Sequence, residues 1–399
     1  MRSTDIFLDE QKYIFQTYAR FPVLITKGKG MHVTDNEGKE YLDFLSGIAV
    51  NALGHCHPAV VNAIRNQTKK LSHTSNLYYT IPQVKLAKKL AALSGLSKSF
   101  FCNSGAEANE AAIKLARKYA KENLGPEKFE IITMHGAFHG RTLATLTATP
   151  HEKFHKGYEP LPAGFKYVNY NDIEALKKAI DEKTCAVLVE PVQGEGGVLV
   201  PSPGYLKELR LLCDEKNILL ILDEVQVGMG RTGKMFAFQQ EGILPDILTL
   251  AKTIGAGLPL GVMMASEKVS KGFVPGSHGS TFGGGSIVCE AGLAVLETIE
   301  KKGLLENVSD MGSYLLSELK KLKEKYPSIK EVRGLGLICG IELEIPGKEI
   351  VSEMLRRGFL INCTSDKVLR FLPPFIVAKK HIDRLIAALD AVFSEKQQV

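Results

Sequence analysis

A chain of 399 residues, 45% hydrophobic and 24% charged, has material for one large core and a smaller one and has neither a fibrous nor a disordered composition. Its 50 basic and 44 acidic residues leave a net charge of +6 spread along the sequence, with no basic block to grip nucleic acid or an anionic membrane, and no apolar stretch reaches the length of a membrane span. Seven cysteines without a Cys-x-x-Cys pair argue against a disulfide framework or a zinc site, and Met1-Arg2-Ser3-Thr4-Asp5 lacks the basic-then-apolar order of a secretory leader, so a cytoplasmic location is expected.

Strand-like stretches come first, around Met31 to Val33 and Tyr41 to Phe44, separated by the turn Asp35-Asn36-Glu37-Gly38. His55 and His57 follow in a loop before Pro58, where a structural role is the better reading than a metal site. Phe100 to Cys102 reads as a strand entering a tight turn and a helix, with Ser104 and Glu107 spaced as a capping box and Ala108, Ala112, Leu115 and Tyr119 on one face. The first turn of such a helix offers unpaired N–H groups and a positive dipole end, so a phosphate can dock there without lysine or arginine. Taken alone, an ordinary capped helix explains the segment better.

From Phe100 to Ala265 short apolar runs alternate with helical patterns: Glu130 to Met134, Cys185 to Glu190, Ile218 to Asp223, Ile247 to Leu250 and Val262 to Ala265. That order belongs to an α/β fold with a mostly parallel sheet. Between two of the runs, Tyr205, Leu206, Leu209, Leu212 and Cys213 fall at helical spacing. His135 and His139 straddle Gly136 at a strand end and are read as structural or supporting; Phe138 lies where an aromatic ring can cover a flat cofactor, although a lone Phe is normally core. Arg141 and Glu195 stand just past strand ends, and with Arg370 they are the charges singled out, because a guanidinium fork suits carboxylate recognition. Singly, each is more often solvated or salt-bridged.

Two apolar runs end in opposite charges, Asp223 and Lys252. Lysine at the end of a buried strand is costly unless paired, and desolvation lowers its pKa toward a neutral, nucleophilic amine able to form a Schiff base. Ligands of open α/β sheets sit outside the carboxyl ends of the strands, so the pair is expected to face one crevice. An acid for a pyridinium nitrogen and a lysine for an aldehyde are the two anchors of a pyridoxal phosphate site. Gly228-Met229-Gly230-Arg231-Thr232-Gly233 also satisfies Gly-x-Gly-x-x-Gly, and Gly228 to Lys234 most of a P-loop. Neither fits its context: Glu224 to Val227 separate it from the strand, no strongly periodic helix follows, and Met235 stands where Ser or Thr would ligate Mg²⁺. The segment is read as a flexible loop near the site.

After Gly292 the texture changes to a long charged helix running to about Tyr326, then Gly-rich strands from Arg333 to Glu344 and a closing helix from His381. The expected organisation is an N-terminal segment, residues 1–60, packed with a small C-terminal domain, residues 291–399, around a large domain, residues 61–290.

Taken together, the motifs Gly47-Ile48-Ala49-Val50-Asn51-Ala52-Leu53-Gly54-His55, Asn103-Ser104-Gly105-Ala106-Glu107, Phe138-His139-Gly140-Arg141-Thr142, Glu190-Pro191-Val192-Gln193-Gly194-Glu195-Gly196-Gly197, Leu222-Asp223-Glu224-Val225-Gln226, Ala251-Lys252, Ser280-Thr281-Phe282-Gly283-Gly284 and Leu369-Arg370-Phe371-Leu372-Pro373-Pro374 resemble the class III, ornithine-type, pyridoxal-phosphate aminotransferases. The likeness covers nearly the whole chain and is nearest to the acetylornithine branch. It implies a fold-type I architecture: a large domain with a mostly parallel seven-stranded sheet between helices, and a smaller α+β domain built from both chain ends. It implies pyridoxal 5'-phosphate bonded to Lys252, with Asp223 at the ring nitrogen, Val225 and Phe138 on the ring faces, and Gln226 at the ring hydroxyl. The phosphate would meet Gly105 and Ala106, and Thr281 from the neighbouring subunit of a homodimer; Glu224 is counted with the cofactor-binding residues and Ser280 with the substrate-binding ones.

By the same resemblance Lys252 is general base and acid, and Arg141 takes the α-carboxylate of the acetylated donor and the distal carboxylate of 2-oxoglutarate. Glu195 covers Arg370 while a terminal amine reacts, and swings away for glutamate. The implied reaction converts acetylornithine and 2-oxoglutarate to N-acetylglutamate 5-semialdehyde and glutamate by a ping-pong mechanism in arginine synthesis. Succinylornithine, N-succinyl-diaminopimelate, ornithine and 4-aminobutyrate are the alternatives within this chemistry; outside it stand a dinucleotide-dependent oxidoreductase and a non-catalytic binding relative. The chain departs from the family pattern at Ala106, usually Thr, at Gly285-Ser286, commonly Asn-Pro, and in the loop Cys363-Thr364-Ser365-Asp366-Lys367, usually richer in Gly and Asn.

Overall fold

The computed structural model describes residues 3–397. Three strands open the chain: β1 (Ile25–Lys29), β2 (His32–Asp35) and β3 (Glu40–Asp43). Seven follow, β4 (Lys98–Cys102), β5 (Glu130–Met134), β6 (Phe165–Val168), β7 (Thr184–Val189), β8 (Leu219–Asp223), β9 (Ile247–Leu250) and β10 (Gly261–Ala265). Five close it, β11 (Ile329–Leu335), β12 (Ile338–Leu343), β13 (Phe359–Leu360), β14 (Asn362–Thr364) and β15 (Val368–Phe371).

The seven middle strands form one sheet in the order β4-β10-β9-β8-β7-β5-β6, parallel throughout except β10, which is antiparallel to both neighbours. Strands β7 to β10 are buried along their whole length, as continuous apolar runs require when helices cover both faces of a sheet. Side chains alternate across it. Leu220, Leu222, Leu248 and Leu250 join the main core, whereas Leu219, Ile221 and Ile247 pack with the helix Gly105–Asn123 on the other side. That helix buries Ala108, Ala111, Ala112, Ala116 and Ala120, small side chains that let its axis approach the strands. Half of its capping box forms: the N-cap Ser104 Oγ accepts from the Glu107 N–H at 3.1 Å, while Glu107 Oε2 accepts from the N–H of Asn103, one residue before the cap, at 2.9 Å.

The chain ends meet in a second sheet, β1-β2-β3-β13, in which β13 pairs parallel with β3. The third sheet, β11-β12-β15-β14, is antiparallel and carries Arg370 between Gly340 and Asn362. One continuous helix from Gly292 to Tyr326 is not what forms. Gly303, at φ +60°, separates Ser286–Lys301, which packs on Pro58–Thr68 and Ile81–Ser94, from Leu304–Lys325, which packs on β11 and the closing helix Lys379–Gln397.

After β3 the backbone makes a single left-handed turn, with φ of 48°, 65°, 63° and 62° at Ser46, Gly47, Ile48 and Ala49. Only one of the four is glycine, and the conformation costs about 1–2 kcal/mol for each of the others. Asp43 holds the turn by accepting from the N–H groups of Leu45 (2.8 Å) and Ser46 (2.7 Å), while His55 Nε2 lies 2.7 Å from its other oxygen. Ser46 Oγ donates to the Leu372 carbonyl at 2.6 Å. The turn delivers Val50 to the wall of the main cavity. Among the described residues no helix is long and apolar enough to cross a membrane.

Candidate active site

Strands β4, β5, β7, β8 and β9 all point their carboxyl ends the same way, and the segments leaving them converge on a cavity of about 480 Å³. It is the crevice expected of an open α/β sheet. Asp223 closes its floor and accepts three hydrogen bonds: from Asn109 Nδ2 at 2.7 Å, from the Val225 N–H at 3.0 Å, and across 2.8 Å from His139 Nδ1. Thr249 Oγ1 donates to Asn109 Oδ1 at 2.7 Å, so the carboxylate sits in a web that fixes its plane. Val225 and Phe138 both line the same cavity.

Lys252 enters from the end of β9 with φ +50°, a strained backbone for a side-chain-bearing residue and one typical of functional positions. Its Nζ makes no hydrogen bond or ion pair among the described residues. Burial pushes the amine below the ordinary lysine value; the charge of Glu195 opposes this, and that of Arg370 adds to it. Glu190, one residue past β7, also faces the cavity and accepts from the Phe138 N–H at 2.9 Å. Burial, and after it the charge of Asp223, pushes this carboxyl well above the ordinary range.

The second half of the site is an ion pair. Arg370 is 0% exposed; its Nη1 donates to Glu195 Oε1 at 2.6 Å and to Gln226 Oε1 at 3.1 Å, and Gln226 Nε2 donates to Glu195 at 3.2 Å. The remaining buried nitrogen, Nη2, has no hydrogen-bond partner. Burial acts to raise Glu195, but the Arg370 charge and hydrogen bond outweigh it and hold the carboxyl below its ordinary value. Arg141 stands exposed at the mouth, its guanidinium 4.0 Å from the Phe154 ring centroid and 5.6 Å from that of Phe138.

Against known proteins, the family model "Aminotransferase class-III" matches residues 13–393. The chain belongs to the class-III aminotransferases. Acetylornithine aminotransferase of Methanocaldococcus jannaschii is 61% identical over 97% of both chains, and that of Caldanaerobacter subterraneus subsp. tengcongensis 51% identical over 97% of this chain and 98% of its own. Among solved structures, ornithine aminotransferase of Toxoplasma gondii is 34% identical with a TM-score of 0.97, covering 100% of this chain and 96% of that one. Acetylornithine aminotransferase of Elizabethkingia anophelis is 33% identical with a TM-score of 0.89, covering 99% and 100%.

As a class-III aminotransferase the chain depends on pyridoxal phosphate, and the cavity fits that group. The N–H groups of Gly105 and Ala106 open the helix Gly105–Asn123 with no partner among the described residues, as an anion requires. A Cβ on Gly105 would lie 2.6 Å from Val225 Cγ1, so glycine keeps that end of the cavity open. The buried Asp223 and the unpaired Lys252 both line the cavity.

The expectations for Glu224, Ser280 and the segment Gly228–Gly233 change in this class-III aminotransferase. Glu224 does not face the cavity: its oxygens accept from the N–H groups of Ala237 (2.7 Å) and Phe238 (2.8 Å), because the residue after Asp223 points to the opposite side of the strand end. Ser280 does not line its own chain's cavity, and neither does Thr281, whose expected place is the site of a neighbouring subunit. Ser280 Oγ accepts from the Gly283 N–H at 3.0 Å and from Asn103 Nδ2 at 3.3 Å, and Thr281 is exposed. The segment Gly228–Gly233 is packed rather than flexible, with Met229, Arg231 and Thr232 buried. His55 pairs with Asp43, His57 caps the helix Pro58–Thr68, and His139 supports Asp223.

Asn109 and Glu190 are site residues to which the motifs read from the sequence assign no role. A polar Asn among alanines on the buried face of a helix, and a carboxyl one place past an apolar strand, are the signals that would have found them.

Burial pushes the Glu224 carboxyl up to about 8 from 4.5, only partly opposed by its two backbone bonds. The folded state therefore keeps a proton that the unfolded chain has lost, so this contribution to stability is full below pH 4.5 and is gone once pH has risen through about 8. Glu190 adds to the same slope. Denaturant unfolding across this window should show a smaller fall for Glu224→Gln, by a few kcal/mol at most; parallel curves for the two proteins would rule the assignment out.

Proposed function

We propose that the chain is an N2-acetylornithine:2-oxoglutarate 5-aminotransferase of arginine synthesis, acting in the cytoplasm as a homodimer. The observation that carries the reading is Glu195 lying on the buried Arg370. Two kinds of substrate must use one site. A donor reacting at a terminal amine has no carboxylate beside the reacting carbon, and an uncovered Arg370 would then be a desolvated, unpaired charge. Glu195 supplies the missing charge; for glutamate it withdraws and Arg370 binds the α-carboxylate bidentately.

Pyridoxal phosphate, when bound, supplies an aldehyde for the substrate amine and a ring that draws electrons from the substrate carbon. Asp223 would keep the ring nitrogen protonated, and its web of Asn109, His139 and Val225 keeps the carboxylate in place. Lys252, its pKa lowered by burial, would take the proton from the substrate carbon as base and, as acid, return it to the cofactor carbon that had carried the aldehyde. Val225 and Phe138 would cover the two ring faces, the Gly105 and Ala106 N–H groups would hold the phosphate, Gln226 would reach the ring hydroxyl, and Arg141 would bind the carboxylate far from the reacting carbon.

Thr281 and Ser280 serve this scheme from a second copy. Thr281 is exposed beside Phe282, and Asn76 Nδ2 ties the segment, through the Ser280 and Gly283 carbonyls at 3.1 and 3.0 Å, to an apolar surface that includes Leu77 and the fully exposed Tyr79. Exposed apolar patches of this kind mark protein interfaces. Domains are assigned as residues 1–60 with 291–399, and 61–290.

Ornithine is the second reading, favoured by the solved relative from Toxoplasma gondii. The several relatives named acetylornithine aminotransferase at 46–61% identity favour the acylated donor. Half-reactions with acetylornithine, succinylornithine, ornithine and 4-aminobutyrate, read from the cofactor spectrum, decide between them: a higher kcat/KM for ornithine would overturn the choice. Glu195→Gln keeps a hydrogen-bond acceptor for Arg370 but loses the charge. It should lower kcat/KM for the terminal-amine donor by about tenfold to a hundredfold while glutamate is spared or improved; equal losses with both substrates would refute the covering role.

A further inference from the structure

Arg231 and Arg370 are the two largest fully buried side chains among the described residues. Arg370 has a carboxylate partner; Arg231 makes no ion pair among the described residues. Instead its Nη1 donates to two backbone carbonyls, Leu337 at 3.1 Å and Pro373 at 2.5 Å, and the guanidinium lies 4.6 Å from the centroid of the Phe375 ring. The Arg231 carbonyl in turn accepts from the Leu337 N–H at 3.0 Å.

The place of those two carbonyls in the fold explains the arrangement. In the β12–β15 ladder Gly340 stands opposite Arg370 and Cys339 opposite Phe371. Counting outward, Leu337 stands opposite Pro373. Proline has no N–H, so the ladder cannot continue there, and Arg231 Nη1 bridges the facing carbonyls where the next rung would have been. Glycines on both sides serve the same end: a Cβ on Gly230 of the loop would lie 2.9 Å from Leu305 and 3.0 Å from Phe375, and one on Gly336, in the turn between β11 and β12, would lie 2.6 Å from the Arg231 carbonyl oxygen. Gly230 lets the loop pack on those two side chains, and Gly336 lets the β11–β12 turn close on the loop's backbone.

We propose that Arg231 is a positioning residue for Arg370: by bridging the open end of β12 and β15 it sets where Arg370 stands, three places inward from Pro373, and so how the α-carboxylate of glutamate is gripped. The proposal rests on the reading of Arg370 as the residue that binds that carboxylate. Lysine is a poor substitute for Arg231, because a point charge lacks the planar fork and stacks less well on the ring.

The holoenzyme variants Arg231→Met and Arg231→Lys test this, with Arg370→Lys measured in parallel. For Arg231→Met, kcat/KM for glutamate should fall about tenfold to a hundredfold, mostly through KM, while that for acetylornithine changes by no more than about threefold. Amide hydrogen exchange should quicken at Cys339 and Phe371 and stay unchanged in β8 and β9. Arg231→Lys should lie between Met and the parent on both readouts, and it decides the matter if the Met variant does not fold. Equal losses in both half-reactions, or unchanged exchange in β12 and β15, overturn the positioning role. If Arg370→Lys leaves glutamate unaffected, the reading of Arg370 falls and the proposal with it; if Arg370→Lys is damaging and neither Arg231 variant is, only the proposal falls.

Discussion

Lys252→Ala should yield a folded protein that holds pyridoxal phosphate without a covalent bond and transaminates about 10⁴-fold more slowly, the upper end of what a positioned proton-transfer group contributes. Folding should survive because alanine adopts the same φ of +50° with no more strain than lysine, and because removing a buried amine relieves a desolvation cost. Loss of rate should be severe because no neighbour can stand in. Glu190 accepts from the Phe138 N–H, Glu195 is tied to Arg370, and Asp223 is committed to Asn109, His139 and Val225. Lys252→Arg should do little better, since a guanidinium does not lose its proton in a protein. Borohydride treatment followed by peptide mass measurement should add the cofactor to Lys252 in the parent and to no residue in the alanine variant. A variant that keeps its rate to within about tenfold would mean the base lies elsewhere.

The site could be read from sequence wherever chemistry coincides with an element end. Asp223 and Lys252 each terminate an apolar run, and strands of one parallel sheet deliver their carboxyl ends to one edge, so their sharing a cavity follows from two local patterns and one rule of topology. The phosphate cradle at Gly105 is legible in the same way, because a capping box marks where a helix begins.

What escaped the sequence depends on direction and on partners distant in the chain. Glu224 follows Asp223 in a recognisable motif, yet it turns to the opposite side and takes two backbone N–H groups thirteen and fourteen residues on. The left-handed turn at Ser46–Ala49 carries three residues that ordinarily avoid positive φ, and what stabilises it lies at Asp43 and, far along the chain, at Leu372. Arg231 looked like part of a mobile glycine loop because its acceptors, Leu337 and Pro373, are more than a hundred residues away. The break at Gly303 has a local cause, but a single glycine in a long amphipathic pattern is compatible with a continuous helix until packing on two different bodies separates the halves.

Asp223→Asn should carry the second largest effect, a fall in both half-reactions of about 10²- to 10³-fold. The substitution is nearly isosteric, so the effect is one of charge: breaking a buried ion pair by removing one partner costs about 3–5 kcal/mol, and about 1.4 kcal/mol corresponds to each tenfold in rate. Structure adds a smaller loss. All three groups facing Asp223 donate, two to one oxygen and Val225 N–H to the other, so an amide must turn its NH₂ toward a donor in either orientation. At least one buried bond is lost, about 1–3 kcal/mol of stability. Unlike Glu195→Gln, this variant should not discriminate between donors, because in the proposed scheme Asp223 serves the ring nitrogen, which every donor uses alike, whereas Glu195 serves Arg370. Removing its charge also removes one of the causes that raise Glu190, whose titration should move down and appear as a new acidic limb in the pH–rate profile. Adding Glu190→Gln to the variant should abolish that limb. If Asp223→Asn instead spared the glutamate reaction alone, Asp223 would belong to substrate recognition and the assignment of the ring nitrogen to it would fail.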